Sequence, residues 1–312
     1  MDTKSAWPAL PYADWQDTTA TLQLWTQIVG KVRLALTPWL NHGWQVTLYV
    51  TARGIGTGPI PFGDDLLDME FDFVAHELVC RTSRGGTATL ALRPRSVADF
   101  YAELMAQLAS LGVTVAIDTI PNEFADPIAF PDDNVHATYD AAAAARFWRV
   151  LLRVDGVFKL FRSGFLGKSS PVHLFWGSFD LAVTRFSGRS APLHPGGVPG
   201  LPDRVTREAY SHEVSSAGFW PGSPGFPEAA FYSYAYPAPH GFGDRKVPAG
   251  ARFDAALGEY ILPYDAVRTA SDPQALLLDF LQTTYAAAAD LGKWNRAALE
   301  CEIGMPGVPR PV

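Results

Sequence analysis

The sequence predicts an α+β protein of two similar halves, each running helix, antiparallel strands, helix. Three observations carry this reading. Asp99 to Gly112 (DFYAELMAQLASLG) and Asp279 to Gly292 (DFLQTTYAAAADLG) share Asp-Phe at one end and Leu-Gly at the other, at the same separation. Leu22 to Leu36 and Ala145 to Phe161 each place apolar residues at helical spacing around a tryptophan, Trp25 or Trp148. Between these helices lie short runs of period-two alternation joined by turn residues, without a repeated strand-helix-strand rhythm, which indicates antiparallel sheet.

Residues 1–17 read as an N-terminal extension and residues 18–120 as the first half. On its opening helix Gln27 and Lys31 lie four apart, with Arg33 on another side, a spacing that reads as a solvated face. Strands follow at Gln45 to Arg53, Leu67 to Phe73, Glu77 to Thr82 and Thr87 to Leu92, with Arg84-Gly85-Gly86 as a hairpin turn. The closing helix carries an N-cap signal at Ser96. Residues 121–140, rich in proline and acids, suit an extended linker. The second half, residues 141–301, repeats the order. It ends in a helix announced by Asp272-Pro273, and just upstream lies a strand-like run from Gly258, GEYILPY. It also carries two Pro/Gly-rich loops, Gly188 to Asp203 and a second starting at Trp220; a loop as long as the first in a compact domain is more often functional or disordered than merely connecting. Residues 302–312 have no periodicity and are expected to be a mobile tail.

At 312 residues, with 48% hydrophobic and 18% charged residues, the chain lies far from the composition of disordered proteins. A formal net charge of -7 without a Lys/Arg cluster argues against a phosphate backbone as partner, so no nucleic-acid binding is expected. The longest apolar segments, such as FWRVLLRVDGVFKLF, are interrupted by charge, so no membrane span is expected. The N-terminal residues lack an apolar run of signal-peptide length, and a cytoplasmic location follows as an expectation. The two cysteines, Cys80 and Cys301, form no CxxC pair and are expected to be reduced thiols.

Chemistry concentrates between Pro171 and Trp220, where three of the seven histidines stand among aromatic and charged residues. A plain sheet core does not call for His173, Trp176, Asp180, Arg185, His194, His212 and Glu213 together. A strand running from His173 to Arg185 would place Asp180 amid apolar neighbours, a costly position unless Arg185 or a histidine pairs with it. Gly177 within that strand signals a bulge that would re-aim Trp176. His212, sharing a strand face with Tyr210, is the candidate acid/base, because its ordinary pKa lies nearest neutrality. His194 lies in the first Pro/Gly loop and reads as part of a lid. Trp220 and Tyr234, with Tyr232 and Tyr236 at period two, would supply flat walls with hydroxyl tips. No phosphate loop accompanies them, since RGIGTGPIPFG lacks GK[ST]. Lys168, beside a helix C-terminus, reads as a local charge match.

The strings VHLFWGSFDLAVTRFSGR, REAYSHEVSSAGFWPG and LWTQIVGKVRLALTPW resemble a bacterial family catalogued only as domain of unknown function 5996, and the resemblance covers nearly the whole chain. That family implies no activity, cofactor or catalytic residue. From the residues alone, the leading expectation is a protein that binds or converts a small, partly aromatic molecule. His212, Asp180 and His173 would be its catalytic candidates, and Trp176, Arg185, His194, Tyr210, Glu213, Trp220 and Tyr234 its ligand-binding residues. Two alternatives stand beside it: a metal-dependent enzyme using His173, His194 and His212, and a non-catalytic interaction or scaffold protein. The metal, any other cofactor and the oligomeric state are left open.

Overall fold

The computed structural model describes residues 7–310. The first long helix, α1 (Gln16–Leu36), buries Leu22, Trp25, Ile28, Val29 and Val32, a helical-period stripe whose Trp25 stacks on Phe100 at 4.7 Å. Six strands follow: β1 (Tyr49–Val50), β2 (Gly54–Gly56), β3 (Ile60–Phe62), β4 (Asp65–Asp72), β5 (Glu77–Thr82) and β6 (Thr87–Ala91). They form an antiparallel sheet in the order β1-β2-β4-β5-β6, with β3 paired to β4. Helix α2 (Val97–Ser110) starts where the Ser96 side chain accepts the Asp99 amide.

The chain then crosses residues 111–140, whose regular structure is one short 3₁₀ turn at Phe130–Asp132, and enters α3 (Ala141–Ser163), capped by Asp140. The second sheet contains β7 (His173–Phe175), β8 (Asp180–Ser190), β9 (His212–Trp220), β10 (Ala230–Tyr236), β11 (Arg252–Asp254) and β12 (Glu259–Pro263). Its order is β11-β12-β10-β9-β8-β7, antiparallel throughout. Helix α4 (Asp203–Ala209) interrupts the β8–β9 connection; α5 (Tyr264–Arg268), α6 (Pro273–Leu291) and α7 (Arg296–Leu299) follow the sheet. Asp272 caps α6 through the Ala275 amide.

Each half therefore runs long helix, antiparallel sheet, helix. The halves share one apolar interior, in which Trp25, Phe71 and Phe100 belong to the same cluster as Phe147, Phe158 and Phe231. Backbone also joins them: Leu48 and Leu174 exchange two hydrogen bonds, at 2.9 and 2.8 Å. The segment 7–15 is packed rather than free, with Trp7, Leu10 and Trp15 buried and the Tyr264 hydroxyl donating to the Pro8 carbonyl at 2.8 Å. The first six residues of the expected extension and the last two of the tail lie outside the described residues. Within the tail, the Gly304 amide donates to Ser163 Oγ at 3.0 Å and Arg310 donates to the Ser163 carbonyl. Both cysteines are free thiols. Among the described residues no helix is long and apolar enough to cross a membrane.

The structure corrects five local expectations. The strand expected over Gln45 to Arg53 is reduced to the Leu48 bridge and the two-residue β1, and its first two residues close a 3₁₀ turn (Asn41–Val46). Side chains compete with the ladder there: Gln45 Oε1 accepts the Leu40 amide and the Thr47 hydroxyl donates to the Trp44 carbonyl. The supposed solvated face of α1 is buried, with Gln27 0% and Lys31 3% exposed and Arg33 close behind, because its polar groups pin neighbouring backbone. The continuous strand from His173 to Arg185 is instead the β7–β8 hairpin, turning through residues 176–179 with Phe179 at φ +57°. Tyr210 is not a strand residue but the C-cap of α4. Lys168 does not serve a helix end; its Nζ donates to His42 Nε2 at 2.5 Å and sits over the Phe186 ring.

Candidate functional site

The two halves enclose a cavity of about 640 Å³. One wall comes from α1 and the turn after it, including Lys31, His42 and Trp44; another is the 116–123 stretch; the floor is the β7–β8 hairpin with β9, β10 and β12. The loop before α4 covers it with Val198, Leu201 and Pro202. Polar contacts from α1 hold the interhalf stretch in place. Gln27 bonds both ways with the Asn122 backbone, at 2.9 and 2.8 Å, and Lys31 Nζ donates to the Ile120 carbonyl at 2.5 Å. Gln23 donates to the Gly177 carbonyl at 2.5 Å and so fixes the hairpin turn to the same helix. The Asn122 side chain ties this stretch to the covering loop through the Gly200 carbonyl, 3.0 Å away.

Two close approaches by glycine shape the walls. Trp176 lies against Gly30 of α1, where a Cβ would overlap the indole, and its Nε1 donates to the Val46 carbonyl at 2.8 Å. Tyr232 lies across Gly218, its cross-strand neighbour, leaving no room for a Cβ. This seats the Tyr232 hydroxyl against Asp180 Oδ2, to which it donates. Trp220 stacks on Tyr232 with ring centroids 4.4 Å apart, Tyr232 stacks on Tyr234, and the Tyr234 and Tyr210 hydroxyls share a hydrogen bond of 2.9 Å. The result is an aromatic surface with hydroxyl tips.

Besides Asp118, which pairs with Lys31 at 3.5 Å, three carboxyl groups line this cavity: Glu123, Asp180 and Glu259. Asp180 is 3% exposed and accepts from Ser178 Oγ and the Tyr232 hydroxyl; burial raises its pKa against those two donors. Glu123, held at φ +59°, has its pKa pushed up to about 7, first by desolvation and then by the charge of Asp180. More than a third of the Glu123 residue is solvent-accessible, yet it lines the cavity and is enclosed by surrounding protein, so desolvation of its carboxyl sets the direction. Glu259 is likewise pushed up to about 7, by desolvation and then by Asp180 and Asp254, and its Oε2 has no hydrogen-bond partner. Among the described residues none of the three forms an ion pair with Lys, Arg or His. Carboxyls titrating near neutrality are suited to donate or accept a proton at physiological pH.

Of the residues singled out in sequence, Trp176, Asp180, Tyr210, Trp220 and Tyr234 line this cavity. The others lie elsewhere. His173 is fully buried between Trp44 and Phe175 with neither ring nitrogen hydrogen-bonded, and desolvation lowers its pKa to about 3. Arg185 does not meet Asp180. Five positions apart on β8, the two side chains face opposite sides of the sheet, and the guanidinium sits among Phe161, Phe165 and Tyr285 and donates to the Phe161 carbonyl. His194 stacks on Tyr210 at 4.9 Å, and its Nδ1 accepts the Gly196 amide. His212 bonds the Ser211 hydroxyl and meets the His42 ring edge-on, while Glu213 forms a surface ion pair with Arg189 at 2.6 Å. The three histidines do not converge, and among the described residues no group of three or more His, Cys, Asp or Glu side chains is arranged to hold a metal ion.

Sequence reasoning passed over Glu123 and Glu259. Glu123 looked like one acid among several in a linker. Glu259 did carry a signal, as an acid at the head of the apolar run Tyr260, Ile261 and Leu262. The polar stripe Gln23, Gln27 and Lys31, at i, i+4 and i+8 on α1, was a second such signal.

A family described as Family of unknown function (DUF5996) matches residues 7–301, and the chain belongs to that family. No curated protein and no solved structure matches it.

Proposed function

We propose that this member of the DUF5996 family binds, or binds and converts, a small, partly aromatic molecule in the cavity between its halves. The observation that carries this reading is the composition of the cavity wall. Stacked aromatic rings converge there with a few polar groups around about 640 Å³, within the size range of small-molecule sites. Against a partner surface, Trp220, Tyr232 and Tyr234 line this concavity, with Trp220 stacked on Tyr232 and Tyr232 buried. If conversion occurs, Glu123, Asp180 and Glu259 are the groups positioned to move a proton. The matching element order of the two halves supports an internal duplication, with the acids contributed unequally: Glu123 from the stretch between the halves, Asp180 and Glu259 from the second sheet.

Native mass spectrometry of the gently purified chain tests the reading. The expected result is a non-covalent adduct of small-molecule mass, released on denaturation and diminished in Trp220→Ala. An adduct retained undiminished in both Trp220→Ala and Tyr234→Ala would place the ligand elsewhere and overturn the proposal.

A further inference from the structure

Three of the cavity's carboxyl groups, Glu123, Asp180 and Glu259, have no ion-pair partner among the described residues, and we infer that its ligand carries a positive charge, an organic ammonium or guanidinium attached to an apolar or aromatic body. This rests on the reading of the cavity as a small-molecule site and names the class of molecule that site takes.

The argument begins with what the cavity's own cations do. Lys31 is committed to the Ile120 carbonyl and to Asp118, 3.5 Å away. Arg204 of α4 lines the cavity but is exposed, Lys168 is held by His42 of the wall, and Arg185 lies outside the cavity and donates to the Phe161 carbonyl. Asp180, almost wholly buried, is met by the hydroxyls of Ser178 and Tyr232, and among the described residues neither it nor Glu123 nor Glu259 has an ion-pair partner. Burying several carboxylates without a partner is costly, and a cation delivered by a ligand removes that cost on binding.

Independent groups in the same wall also await an occupant. Gln45, 0% exposed, has an Nε2 without any acceptor, and Thr206, 1% exposed, has an unpartnered Oγ1. Such orphaned groups are rare in folded proteins, and those lining a cavity point to a polar occupant. Trp44, Trp176, Trp220, Tyr232 and Tyr234 offer ring faces around the acids, which favours an organic cation through cation–π attraction. A bare metal ion fits poorly, since these carboxyls are not grouped as a coordination set.

The test is a thermal-stabilisation screen of the full chain at pH 8. It uses equal numbers of cationic, neutral and anionic aromatic molecules, with phenethylamine, 2-phenylethanol and phenylacetate as the matched core set. Calorimetric affinities then follow for each hit on Glu123→Gln, Glu259→Gln and Trp220→Ala. Cationic hits that weaken at least tenfold in Glu259→Gln or Glu123→Gln, with neutral analogues bound at least tenfold more weakly by the unmodified protein, support the inference. Neutral or anionic molecules that bind as tightly as their cationic counterparts, and lose affinity in Trp220→Ala, overturn the charge assignment while leaving the cavity as the ligand site. Stabilisation by no class overturns both. Magnesium and calcium chloride run alongside, and saturable stabilisation by either, abolished in Glu259→Gln, would replace the organic cation with a metal.

Discussion

Replacing Glu259 by glutamine is expected to stabilise the ligand-free protein above neutral pH and to have a smaller effect in acid. The carboxyl's pKa rises on folding from an ordinary 4.5 to about 7, chiefly through desolvation and then through Asp180 and Asp254. A raised acid pKa means that the folded state holds a proton which the unfolded state releases between these two values. Stability contributed by the neutral acid is therefore lost as pH rises from about 4.5 to about 7, and the full cost of the buried carboxylate is present above that window. At about 1.4 kcal/mol per pH unit the cost is about 3.5 kcal/mol before screening; partial exposure of Glu259 screens it to about 2 kcal/mol. Glutamine keeps the shape and abolishes the ionisation. Asp180 and Asp254 are the charges that help raise Glu259, Glu123 lines the same cavity and is itself pushed up to about 7, and Tyr210, Tyr232 and Tyr234, raised by burial, stay neutral. Urea denaturation at pH 5 and pH 8 reads the difference, with unchanged m-values confirming that the same surface unfolds. The variant's gain should be larger at pH 8 than at pH 5 by about 2 kcal/mol. Equal gains at the two pH values, or a loss at pH 8, would refute the claim that an unpaired carboxylate is forced to ionise in this cavity.

Asp180→Asn should lower the titration midpoints of both Glu123 and Glu259 from about 7, because the Asp180 charge helps raise each; carbon-detected NMR titration of the glutamate carboxyls measures this, and unmoved midpoints would uncouple the three groups. His173→Leu should stabilise the protein in acid. The pKa of His173 is lowered on folding from 6.5 to about 3, so stability falls as pH drops below 6.5, and removing the ring should recover about 2 kcal/mol more at pH 5 than at pH 8; an equal effect at both would mean the ring is not held neutral. Gly218→Ala should cost about 1–3 kcal/mol in urea denaturation, because its Cβ displaces the Tyr232 ring, and wild-type stability would contradict the close approach. Arg185→Met should stay within about 1.5 kcal/mol of wild type, while Arg185→Ala loses about 3 kcal/mol by emptying the cage of Phe161, Phe165 and Tyr285; the reverse order would show that charge rather than packing holds this side chain.

The fold class and most helices were legible in the sequence because their causes are local. Apolar spacing around Trp25 and Trp148 requires a helix face, and Ser96 and Asp272 cap helices by bonding amides three residues on. Period-two alternation marked β5 to the residue. The aromatic part of the cavity wall was also visible, since Trp176, Tyr210, Trp220 and Tyr234 stood out by type. The carboxyl cluster was not. Glu123, Asp180 and Glu259 lie in a connecting stretch, at a hairpin end and at the head of β12, and no spacing links them. They converge only because α1 pins the interhalf stretch through Gln27 and Lys31 while sheet register lays Tyr232 over Gly218 and onto Asp180. The histidines failed as guides for the complementary reason. Residue type states what chemistry a side chain can perform, whereas burial and partners decide whether it meets anything, and those depend on which strand turns back and where. Sequence by itself determined the elements and the chemistry available; tertiary packing decided that Glu123, Asp180, Glu259 and the aromatic rings converge on one cavity while His173, His194 and His212 do not line it.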